Sequence, residues 1–205
     1  MSNLNSLMVE RAKSSSSRSS FYLENDFFHA ADILRAEFER LMSISVPANS
    51  GLTPFSYAFC RHEYQFLTAS AERIFASDVL DDLIGVLRAW GNRRLGTSHV
   101  STPQFRVYIS GCSRSLVCDD VNVPWRYILS LTKNGVARKG GAFNILTDHS
   151  TSQSRQGFSI GKLMNCHLHF NQMLVHRASS AYSIEALATS MNLTEGLVFL
   201  DGYFW

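Results

Sequence analysis

Much is missing from this chain. No apolar stretch approaches the roughly 18 residues that a membrane-spanning helix requires, so no membrane partner is expected. Charge is sparse: Asp, Glu, Lys and Arg make up 18% of 205 residues, formal net charge is +2, and no short window holds more than about three basic side chains. No nucleic-acid partner is expected either, because the electrostatic footprint is absent. The four cysteines, Cys60, Cys112, Cys118 and Cys166, lie far apart and form no Cys-x-x-Cys pair. That spacing argues against a structural zinc site. The polar N-terminus has no apolar centre of roughly 7–15 residues, as a secretory signal needs. A cytoplasmic location with reduced thiols is expected.

Hydrophobic residues are 45% of the chain and aromatics 12%, enough for one sizeable core. A single domain over 20–205 is expected, preceded by a Ser-rich stretch, 1–19, that reads as a disordered tail. In "NDFFHAADILRAEFERLM", Phe27, Ala31, Leu34, Phe38 and Leu41 recur at helical spacing, with Asn25 or Asp26 as a cap. "ASDVLDDLIGVLRAW" repeats the period, and Gly91 follows as a stop. An aromatic segment, "FSYAFCRHEYQFL", connects them. After residue 104 the chain breaks into short apolar or alternating runs, among them "QFRVYIS", "WRYILSLT", "AFNILTD" and "GLVFLDGYF", separated by turn-forming clusters. Helices followed by many short strands predict an α+β layout: two helices packed outside a jelly roll.

The strands also spell a likeness. "VYISGCSRSLVCDDVNVPWRYILSLTKNGVARKGGAFNIL", "FNQMLVHRASSAYSIEAL" and "GLVFLDGYF" resemble bacterial 2-oxoglutarate/Fe(II)-dependent oxygenases over roughly residues 55–204. Gly111, Cys112, Pro124, Trp125, Gly140, Gly141, Phe170 and Asn171 fall in order. The resemblance implies a double-stranded β-helix, the cupin-like jelly roll. It also implies two histidines and a carboxylate on iron, the first histidine two residues before the carboxylate. Aligned on Pro124 and Trp125, that pair is Val117 and Asp119. A shift by one gives Cys118 and Asp120. The second histidine falls on Tyr182, and the arginine for the far carboxylate of 2-oxoglutarate falls on Leu197. Losing that charge-assisted bond costs about 1.5–3 kcal/mol.

Other residues offer substitutes. His167 and His169 share a strand parity and with Asp119 form a candidate metal set. Alternating histidines on an edge strand are more commonly surface groups. Cys118 beside Asp119 and Asp120 is a poor nucleophile, since adjacent carboxylates raise a thiol's pKa. Asp119 remains the candidate catalytic carboxylate.

These residues lead to a degenerate oxygenase-fold protein that uses no cofactor. Its expected pocket is lined by Val117, Cys118, Asp119, Tyr127, Tyr182 and Leu197, and suits a peptide or small aromatic molecule. The expected role is that of an accessory protein in bacterial peptide natural-product maturation, presenting a peptide substrate to a partner enzyme. "GYFW" is a candidate homodimer surface. The alternatives are a metal-independent hydrolase or cyclisation catalyst built on Asp119 with His167 or His169, and an iron oxygenase with displaced ligands.

Overall fold

The computed structural model describes residues 21–43, 55–60, 63–117, 123–133, 140–147, 162–188 and 193–205. Their order is β1 (Phe21–Glu24), α1 (Ala31–Ser43), β2 (Ser56–Cys60), β3 (Tyr64–Ser70), α2 (Ser77–Leu95), β4 (Gln104–Tyr108), β5 (Ser113–Val117), β6 (Trp125–Ser130), β7 (Phe143–Thr147), β8 (Lys162–Cys166), β9 (Met173–Arg177), β10 (Ala181–Ile184) and β11 (Leu197–Phe204). The stretch 1–19 lies outside the described residues.

All pairings are antiparallel. The ladder runs β1-β9-β6-β11-β4-β3-β5-β10-β7-β8, with β2 added to β3. Strands far apart in that ladder nevertheless touch. Phe143 of β7 lies 5.5 Å from Phe199 of β11, and His176 of β9 lies 5.3 Å from Tyr182 of β10. The ribbon therefore curls until β5-β10-β7-β8 covers β9-β6-β11-β4, which is the jelly roll the strand pattern predicts.

Strand parity sorts the core into two layers. On β11, Leu197 and Phe199 face the barrel interior with Tyr108, Ile128, Leu174, Ile145 and Tyr182. Val198, Leu200 and Phe204 face outward, where Leu34 and Phe38 of α1 and Leu83, Leu87 and Trp90 of α2 cover them. Full burial of each such side chain is worth roughly 1.5–3 kcal/mol.

Two local expectations change. Helix α1 starts at Ala31, so Asn25 and Asp26 do not cap it. Asn25 accepts a 2.8 Å hydrogen bond from Gln172, while Asn171 clamps the turn into α1 by accepting from the Phe28 N–H and donating to its carbonyl. Gly91 does not stop α2; it lies inside the helix, where a Cβ would come within 2.8 Å of the Phe204 ring. The stop is Gly96, left-handed at φ 77°. The aromatic connection forms the β2–β3 pair.

Candidate functional site

The barrel interior is built around a charged centre. Asp201 sits on β11 between β4 and β6, and its register partner on β6 is Ile128. Arg106 pairs with Phe199 and Arg126 with Tyr203, so each arginine is diagonal to Asp201, within reach of a long side chain. Arg106 Nε donates to Asp201 Oδ1 at 2.7 Å, and Arg126 Nη2 donates to Oδ2. Asp201 is 1% exposed and Arg126 2%. Burial pushes the Asp201 carboxyl up, but the two guanidiniums outweigh it and hold the group below the usual carboxylate range.

Aromatic rings enclose these charges. The Arg126 guanidinium stands 4.7 Å from the Tyr182 ring centroid and 5.5 Å from that of Tyr203, and that of Arg114 lies 4.9 Å from Tyr182. Arg106 stands over Phe66 at 4.7 Å. His176 is fully buried opposite Arg126, with Nδ1 2.8 Å from the Arg177 carbonyl. Burial pushes the Tyr108 hydroxyl up to about 12, with Arg106 pulling the other way.

The two positions that align with iron-binding histidines are brought together. Val117 of β5 lies directly across from Tyr182 of β10. Leu197, at the position aligned with the arginine, is buried in the same interior cluster, against which Val117 packs. These residues do not fit a ferrous centre. Valine has no donor atom, and two guanidiniums stand over the tyrosine ring. A divalent ion about 5 Å from one guanidinium would meet roughly 6–7 kcal/mol of repulsion at an effective dielectric near 20. Asp201, the carboxylate at this centre, is already shared by Arg106 and Arg126. Among the described residues, no three His, Cys, Asp or Glu side chains come together to hold a metal ion.

The remaining candidates scatter. Cys118, Asp119 and Asp120 lie outside the described residues. Tyr127 does not line the interior: its neighbours Arg126 and Ile128 point inward, so parity sends its ring to the helix-side core against Phe204 at 5.3 Å. His167 and His169 are exposed in the connection after β8, with Leu168 buried between them. The pair shares a side, as parity requires, but it is the solvent side. Gly140 and Gly141 are both left-handed, at φ 79° and 78°, and form the turn into β7. Of "GYFW", Gly202 and Phe204 are buried and Trp205 is 51% exposed.

Arg106, Arg126, Asp201 and His176 were not among the residues expected to form the site. Alternation on "QFRVY", "WRYILS" and "GLVFLDGYF" places Arg106, Arg126 and Asp201 on the inward faces. Two arginines and an aspartate on inward faces of apolar strands are a signal of a buried ion network.

No family model and no curated protein matches the sequence. Solved structures do match. A prolyl-4-hydroxylase from Pseudomonas putida is 12% identical, with 92% of this chain and 93% of that one covered and a TM-score of 0.61. A prolyl hydroxylase from Trichoplax adhaerens, in complex with a hypoxia inducible factor peptide fragment, is 12% identical, with 92% and 84% covered and a TM-score of 0.62. The epimerase SnoN, in complex with ferric iron, alpha ketoglutarate and nogalamycin RO, is 11% identical, with 92% and 79% covered and a TM-score of 0.63. The fold of this chain is thus the jelly-roll, double-stranded β-helix fold of the 2-oxoglutarate/Fe(II) oxygenases.

Proposed function

We propose that this chain is an oxygenase-fold protein that works without iron, binding a peptide or small molecule and presenting it to a partner enzyme. One observation carries the iron-free reading. Valine faces tyrosine across the β5–β10 pair, and guanidiniums stand over the tyrosine ring. A ferrous ion there would find no imidazole, only a phenol hydroxyl, and no favourable potential.

The ligand class rests on surface chemistry and analogy. Tyr57 and Phe59 stack on the exposed face of β2, 6.1 Å apart, each more than half exposed. Rings displayed on a short strand suit an extended peptide. The Trichoplax neighbour was solved with a peptide fragment, and SnoN belongs to nogalamycin biosynthesis; the same fold in peptide natural-product maturation is the setting we propose. Trp205 supplies an aromatic contact for the partner enzyme or a homodimer. The metal-independent enzyme has less support, because the histidines proposed to assist Asp119 face solvent.

Metal analysis by mass spectrometry of protein produced with added iron is the test. Iron well below one atom per chain is expected, together with stimulation of a partner enzyme and no turnover by this chain alone. Stoichiometric iron with consumption of 2-oxoglutarate would overturn the proposal.

A further inference from the structure

We infer that the guanidinium of Arg126, buried where those of Arg106 and Arg114 are only partly so, is the unscreened fixed cation of this barrel, tying its two sheets together and keeping transition metals out even where imidazoles are restored at positions 117 and 182. The inference rests on the iron-free reading and goes beyond it. Missing ligands explain why a metal would not be held; a resident cation explains why supplying ligands would not suffice.

The placement of Arg126 carries this. It leaves β6 opposite His176 on β9 and Tyr203 on β11. Its guanidinium holds the Asp201 carboxylate, lies 3.4 Å from the Tyr203 hydroxyl and stands 4.7 Å over Tyr182 on the opposite sheet. At 2% exposure its charge is not screened by bulk water. An arginine stays charged throughout the working pH range, and the Asp201 carboxylate beside it favours the charged form of a lysine in its place as well. Asp201 cannot serve as a metal ligand without abandoning two guanidiniums in a dry interior.

The register makes the test direct. Val117 and Tyr182 are opposite one another on paired strands, so V117H/Y182H sets two imidazoles within reach of one ion. Nickel(II) is titrated into the unaltered protein, V117H/Y182H, V117H/Y182H/R126M and V117H/Y182H/R126K, followed by calorimetry. The double variant and the lysine triple are expected to bind no tighter than the unaltered protein, and the methionine triple at least tenfold tighter. The inference is overturned if the double or lysine variant matches the methionine triple, or if the methionine triple gains nothing. Should the histidine variants fail to fold, hydrogen–deuterium exchange of R126M decides. Lost protection on β10 is expected, while loss confined to β6, β9 and β11 overturns the coupling between sheets. Iron in the unaltered protein would instead sink the iron-free reading, so the two failures are distinct.

Discussion

Replacing Asp201 by Asn keeps the shape of the side chain and removes its charge. Two guanidiniums then face each other across β11 without the anion between them, one of them with a side chain 2% exposed and the other 16%. Removing one partner of a buried ion pair typically costs about 3–5 kcal/mol. For a chain of this size each kcal/mol moves the melting temperature by about 2–4 °C, so Asp201→Asn should lower it by about 6–20 °C in calorimetry. The pH dependence has a definite sign. The folded carboxyl lies below its ordinary value, so its contribution is complete above about pH 4, the unfolded value, and fades as pH falls through the folded one. The gap between the unaltered protein and the variant should be full at pH 7 and close under acid conditions. Replacing the whole triad, R106M/D201L/R126M, should be neutral or stabilising by about 1–4 kcal/mol. A gap under about 1 kcal/mol at pH 7, or one that persists unchanged to pH 2, would refute a closed, dry ion network.

Three further outcomes are expected. Gly91→Ala should destabilise by about 1–3 kcal/mol in urea melts, since the new methyl meets the Phe204 ring and the Thr97 carbonyl; Gly96→Ala has open space and should cost only about 1–2 kcal/mol of left-handed strain. The Tyr108 hydroxyl is buried without a hydrogen-bond partner among the described residues, so Tyr108→Phe should change stability by under about 0.5 kcal/mol or raise it. Its folded pKa of about 12 exceeds the unfolded value near 10, so the associated stability is present below about pH 10 and lost as pH rises toward 12, measurable by ultraviolet titration. Cys166 is pushed up to about 11 by burial, and at pH 8 it should react with a thiol reagent roughly a hundredfold more slowly than in the denatured chain.

The layout was legible because period-two alternation survives in β4, β6 and β11, and period-three-or-four spacing in both helices. Boundaries were less so. Gly91 looks like a helix stop, but its bare backbone makes room for Phe204, more than a hundred positions away. Strands β1 and β2 carry no clean alternation, since each lies at the margin of the sheet. At the site, the aligned positions Val117 and Tyr182 come to lie opposite one another. Tyr127 falls on the helix side because its parity within β6 is opposite to that of Arg126 and Ile128. The charged centre is hard to read from sequence because Arg106, Arg126 and Asp201 are distant along the chain and meet only when β11 enters between β4 and β6.

That insertion has a consequence for biogenesis. While a ribosome is still making residues before Leu197, β4 and β6 each present an edge awaiting β11, and exposed edges of apolar strands invite intermolecular pairing. Long-range closure of this kind is slow. Nascent chains arrested before residue 197 should therefore recruit chaperones, and release them once the last strand has emerged and slotted home.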